Sequence, residues 1–295
     1  MQGGPGRANR RFEGQSCTAF DHSTEKLEIK MKNSTKLLYG LGFATVLGAT
    51  TAFATVRSVD HRTADTPEAS ILEATNGMWR LEATGVRIIG GYGDNFAYDG
   101  KNVRWLDGKA QIELDPSNGT GQIVIEVETT RESGPIRYSE DTNWSGTIRI
   151  VQRLNTREME GARIVEDQML HGDSGNEAPV MPTLYNYFAT WGPSKIWVNG
   201  EEVVPMVGSH TMFSEQARGP DGSIKNGSGM LYSPMAPVKT GFVSPNQTEF
   251  HFVAHTMQPD QNNFPPHTAW IHLHFSNVRV LEKPDGVQIP RQVDQ

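Results

Sequence analysis

Cysteine is nearly absent: the 295 residues hold one, Cys17. It lies ahead of a segment that reads as an export signal, so the processed chain is expected to have no thiol at all. That excludes disulfides, thiolate metal ligands and a cysteine nucleophile. Long apolar runs are scarce as well. The longest, Leu37 to Val46, is far short of the ~20 residues a membrane-spanning helix needs. Basic excess is also missing. The first 54 residues hold 7 of the 27 basic and 4 of the 34 acidic residues, which leaves 20 against 30 and a net charge of −10. An acidic chain without basic clusters is a poor partner for nucleic acid. A sustained 3.6-residue period is lacking too, so little helix is expected. The exception is 66–74, where Thr66 would cap a short helix with Pro67 at its first position.

What is present begins with a signal-peptide layout. Met31 to Lys36 is short and basic, Leu37 to Val46 is apolar, and Ala52-Phe53-Ala54 is a small-x-small cleavage site. Residues 31–54 therefore read as a signal peptide and residues 1–30 as an over-extended start without structure. A twin-arginine signal at Arg10-Arg11 is the rival, but the apolar region lies too far downstream. The expectation is a bacterial protein, periplasmic or secreted, with no membrane span in the mature chain. Residues 55–75 read as a tether, 76–283 as one β domain, and 284–295 as a loose tail.

Within that domain the apolar period is two. Residues 77–89, 110–115, 121–128, 146–153 and 195–198 alternate apolar and polar side chains, as strands with one buried face do. The runs 248–257 and 268–276 do the same, and 278–281 extends the last of them. Turn clusters separate the strands, and Asn199-Gly200 between apolar flanks is a strong hairpin signal. Many short strands with Gly and Pro punctuation predict an all-β fold, a β-sandwich or jelly roll with long loops. The stretches 166–182 and 205–240 are rich in polar residues, Gly, Pro and Met. Both are expected to be loops, a common place to build a site on a β scaffold.

The sharpest chemical signal is a set of histidines. His251 and His255 alternate with Phe250, Phe252 and Ala254, while His272 and His274 alternate with Ile271, Leu273 and Phe275. Burying both apolar rows places the four imidazoles on one shared face, either a metal site or a wet polar face. His272 and His274 are ~6.6 Å apart along a strand, close enough to turn toward one ion. His251 and His255 are about 13 Å apart, so one of them would join. Register 251 opposite 274 permits this, and so does 255 opposite 272. Without thiolates, imidazole ligands suit copper or zinc, and nearby methionines such as Met257 would suit Cu(I). A glutamate closely following His-x-His, as in cupins, does not occur here.

Several weaker candidates join this set. His171, Asp173 and His210 come from the loop-like stretches, and Trp270 shares the strand face of His272 and His274. Gly172-Asp173-Ser174-Gly175 is similar to the nucleophile loop of chymotrypsin-like proteases. It is followed by Asn176-Glu177, no Ala-His-Cys element precedes it, and a β-turn accounts for it. The sequence thus predicts an exported β protein that binds copper or zinc, as carrier or metalloenzyme. The alternative is a non-catalytic module for carbohydrate or another small ligand, which would stack on exposed tryptophans.

Overall fold

A computed structural model describes residues 77–94, 98–235, 240–262 and 265–290. The signal peptide, the tether, the short helix at 66–74 and the end of the tail lie outside the described residues. The all-β expectation holds: there are twelve strands, and no helix occurs among the described residues. They are β1 (Trp79–Gly91), β2 (Arg104–Trp105), β3 (Asp107–Asp115), β4 (Thr120–Glu128), β5 (Ile136–Ser139) and β6 (Thr142–Trp144), followed by β7 (Thr147–Asn155), β8 (Arg163–Leu170), β9 (Leu184–Val198), β10 (Glu201–Gln216), β11 (Ser244–His255) and β12 (Trp270–Glu282).

The main sheet runs β10-β11-β12-β1-β3-β4-β7-β9-β8, and β9 also pairs with β10. That last pairing closes a hydrogen-bonded circuit of eight strands, all antiparallel. Closure leaves those strands no open edge. It is made at the hairpin that Asn199-Gly200 predicts. Both residues take left-handed backbone angles, φ 52° and 86°, as a two-residue hairpin turn demands. Opposite walls pack face to face across one core. Trp79 of β1 meets the rings of Phe188 in β9 and Phe213 in β10 at 5.3 and 5.9 Å.

Alternation decides what faces inward. Phe250, Phe252 and Ala254 of β11 and Ile271, Leu273 and Phe275 of β12 all enter this core. In β1 the inward set changes parity. Trp79, Leu81 and Ala83 point in before Gly85, and Val86 and Ile88 after it. Gly85 (φ 64°) permits the change, and a Cβ there would lie 2.5 Å from Ser276 Oγ. The consequence is that Arg87 faces out, beside β12.

The outer face of β1, β12, β11 and β10 is not wet, which corrects the polar-face expectation. Loops between β1 and β2, between β8 and β9, and between β10 and β11 lie over it and build a second apolar cluster. That cluster contains Trp270, Met212, Leu170, Met181, Leu184, Ile224, Tyr232 and Phe242. Burying each such side chain contributes roughly 1.5–3 kcal/mol before entropy is counted. The loops also lock to one another: Tyr98 donates to Val180 O at 2.9 Å, and Tyr232 donates to Pro179 O and Met181 O at 3.0 and 2.7 Å.

Two stretches expected as loops prove to be partly strand. Residues 205–216 belong to β10 and 166–170 to β8. β10 is covered on both faces over its second half, so its sequence shows no simple alternation. Pro205 sits where the β9–β10 register slips, a position that tolerates proline. Val278–Leu281 does continue β12. In the tail, Val287 and Ile289 pack against the main core.

Candidate metal centre

The paired strands set one row of side chains across the outer wall. Ala189 of β9 lies opposite Met212 of β10, Met212 opposite His251, His251 opposite His274, and His274 opposite Arg87. Register 251 opposite 274 is therefore the one adopted. His272 lies one row over, opposite Val253, and His255 lies opposite Trp270.

At the centre of the cluster is a residue that the histidine pattern does not reveal. Glu249 precedes His251 by two positions, shares its face and is fully buried. Its Oε1 accepts from His251 Nε2 at 2.8 Å and from the Ala217 amide at 3.0 Å. Its Oε2 accepts from His274 Nε2 at 2.9 Å and from the Arg218 amide at 3.1 Å. With the ring proton of His251 on Nε2, its Nδ1 accepts from His272 Nε2 at 3.0 Å. On the far side of His274, Arg87 Nε donates to Nδ1 at 2.9 Å, and its other nitrogens donate to Pro220 O and Gly219 O at 2.8 and 3.1 Å. An arginine nitrogen only donates, so His274 Nδ1 accepts and the ring proton sits on Nε2, facing Glu249. Three ligand atoms, from Glu249, His251 and His274, lie within 4.8 Å of one another, and all three residues are buried. This group could hold a metal ion.

Electrostatics follow from burial. Desolvation opposes the Glu249 carboxylate, but the contacts with His251 and His274 outweigh it and hold the group well below the usual carboxylate range. Burial pushes His274 down to about 3 against the upward pull of Glu249, and it holds His272 well below its ordinary value. Desolvation lowers Arg218 to about 10 despite Glu249 nearby, and it lowers Arg87 too. The cluster is thus one anion between two cations, with His272 and His274 kept neutral.

The remaining candidates fall elsewhere. His255 stacks on His267, ring centres 4.0 Å apart, away from the Glu249 group. Trp270 is fully buried in the second cluster and packs on Gly90. Met257 is 81 % exposed. Asp173 lies in the loop after β8, where its amide bonds Thr183 Oγ1 at 2.8 Å. His171 and His210 come close to each other, ring centres 6.2 Å apart. The residues that sequence reasoning passes over are Glu249, Arg87 and Arg218. For Glu249 a signal does exist, since it shares the parity of His251 and His255. Arg87 is hidden by the parity change at Gly85.

Trp79, Trp144 and Trp270 are buried, while Trp105 is exposed with the Arg87 guanidinium 5.2 Å from its ring centre. No helix among the described residues is long and apolar enough to cross a membrane. Comparison of the chain with protein-family models, with curated proteins and with solved structures finds no match.

Proposed function

We propose that this is an exported protein that binds one copper or zinc ion through Glu249, His251 Nε2 and His274 Nε2. The observation that carries the reading is the convergence of these three ligand atoms within 4.8 Å in a buried setting. Ring spacing supports it. A metal ~2.0–2.1 Å from Nε2 lies about 3.2 Å from the ring centre, so the 4.8 Å between the His251 and His274 centres corresponds to an N–metal–N angle of about 97°. That suits a four-coordinate ion. Tetrahedral ligands sit about 3.4 Å apart, so Glu249, now 2.8 and 2.9 Å from the two nitrogens, would withdraw by about half an ångström. Two imidazoles and one carboxylate are borderline ligands of the kind zinc and Cu(II) accept. Enclosure on all sides favours a carrier or a structural ion over an open catalytic one.

A second reading has its own observation. Both Glu249 oxygens already accept two hydrogen bonds each, and Arg87 fixes the His274 tautomer. On that reading the cluster is an internal strut tying residues 217–220 to the barrel wall. Calorimetric titration of chelator-treated protein with Zn²⁺ and Cu²⁺ separates the two. The metal reading expects one ion per chain in the wild type and none when His251 and His274 are both replaced by Asn. Absence of binding in the wild type, or equal binding by both proteins, would leave the strut.

A further inference from the structure

His171 and His210 stand outside the Glu249 group and differ from it in one respect: each is oriented by a backbone carbonyl. His171 Nδ1 lies 2.7 Å from Ala178 O, and His210 Nδ1 lies 3.0 Å from Thr190 O. A carbonyl only accepts, so both Nδ1 atoms carry the proton and both Nε2 atoms keep a bare lone pair. That is the orientation a metal-binding imidazole takes, with the far nitrogen donating to a carbonyl.

Three further observations mark the pair as built. His210 Nε2 is buried and has no hydrogen-bond partner, a state that ordinarily costs 1–3 kcal/mol. His210 is clamped by Trp191, whose ring stacks on it at 4.4 Å, while the Arg163 guanidinium lies over that same indole, 4.0 Å from its centre. His171 sits at a left-handed φ of 61°, unusual for a side chain with a Cβ. It holds that angle because its amide donates to Asn176 O at 2.8 Å and its carbonyl accepts from Ser174 at 3.0 Å, closing the loop on itself. Desolvation keeps both rings neutral, with His210 lowered to about 3.

We propose that His171 and His210 form a two-imidazole site for a soft monovalent d¹⁰ cation, Cu(I), held between their Nε2 atoms. Spacing selects the ion. With about 3.2 Å from each ring centre to a bound metal, two Nε2 atoms turned toward one ion across this 6.2 Å separation would make an N–metal–N angle of about 150°. A tetrahedral zinc would need the centres about 5.2 Å apart. Charge points the same way, because neither ligand is an anion, and the nearby Arg163 and Glu177 offset each other as an ion pair at 3.4 Å. A divalent ion buried beside neutral ligands alone would be poorly compensated, whereas a monovalent one costs much less. The inference stands independently of the Glu249 site, which has the carboxylate and the narrower angle that a divalent ion favours.

The test is an anaerobic titration of the purified chain with Cu(I) presented as its bicinchoninate complex. Wild type, His171→Asn, His210→Asn and Glu249→Gln are compared. Asn keeps a side-chain N–H near the place of Nδ1 and removes Nε2. The expected result is one Cu(I) withdrawn from the chelator by wild type and by Glu249→Gln, and at least a tenfold weaker hold in each Asn variant. Zn²⁺ binding at Glu249 should persist in the Asn variants. Long-range ¹H–¹⁵N spectra of the wild type give a readout that no variant's folding can confuse: Cu(I) should move the Nε2 signals of His171 and His210 and leave their Nδ1–H couplings in place. Wild-type Cu(I) stoichiometry in both Asn variants, no withdrawal by the wild type, or unmoved Nε2 signals would overturn the proposal. Loss of Zn²⁺ binding with Cu(I) binding intact would count only against the Glu249 site.

Discussion

Glu249→Gln is the most informative single perturbation. The carboxylate meets four donors and no acceptor: two imidazole N–H groups and two backbone amides. Gln is nearly isosteric, but its NH₂ end would face two of those donors with a third of its own. His274 cannot relieve the conflict by moving its proton, because Arg87 Nε–H already occupies Nδ1. Two charge-linked hydrogen bonds are lost, each worth ~1.5–3 kcal/mol. The buried cations Arg87 and Arg218 also lose the buried anion that most favours their charge, and breaking a buried pair typically costs ~3–5 kcal/mol. These effects overlap, so the expected net loss is about 3–5 kcal/mol. A domain of this size loses about 2–4 °C per kcal/mol, so melting should fall by roughly 6–20 °C. Urea and thermal unfolding, followed by tryptophan fluorescence with chelator present, measure it. A loss below about 1 kcal/mol would refute the account of Glu249 as the counter-charge of this cluster.

Acid should destabilise the metal-free protein early. His210 and His274 titrate near 3 in the fold and near 6.5 unfolded, so the unfolded chain binds more protons below pH 6.5 and stability falls as pH drops through that window. At pH 5 each costs about 2 kcal/mol, and His171 and His272 shift in the same direction. Unfolding free energies equal at pH 7 and pH 5 would contradict this. Gly90→Ala is expected to cost ~1–3 kcal/mol by overpacking, since a Cβ there would lie 2.4 Å from the Trp270 ring. An unchanged urea midpoint for Gly90→Ala would show that Trp270 moves freely.

The sequence's legibility follows which faces are covered. β11 and β12 are readable because Phe250, Phe252, Leu273 and Phe275 alternate with polar residues. That same alternation misleads about the outer face, since it looks solvated and is instead roofed by loops. A roof built from 171–183, 217–235 and 240–243 leaves no periodic trace, because its apolar residues are spaced by loop geometry. β10 shows the converse: Met212 faces the roof and Phe213 the barrel interior, so two adjacent apolar residues erase the period. Glu249 escapes notice for a related reason. One acid on a strand reads as a solvent-facing residue until its neighbours are known to be covered.

Arg87 sets the terms on which a metal could enter the Glu249 group, and this makes the metal reading measurable in protons. An ion at His251 Nε2 displaces a proton that His251 can recover at Nδ1 once His272 shifts its own proton from Nε2 to Nδ1 and turns Nε2 into the acceptor. His274 has no such recourse while Arg87 Nε points at Nδ1. Arg87 is pinned in turn by Pro220 O and Gly219 O. Binding there should therefore release about one proton per ion, and affinity should rise with pH for that reason. Replacing Arg87 by Met frees Nδ1 to take the proton, so the release should fall toward zero. Calorimetry of Zn²⁺ binding in buffers of differing ionisation enthalpy counts these protons directly. Binding by the wild type without any buffer dependence would mean that Arg87 swings away from His274, and the pinned arrangement derived above would be wrong.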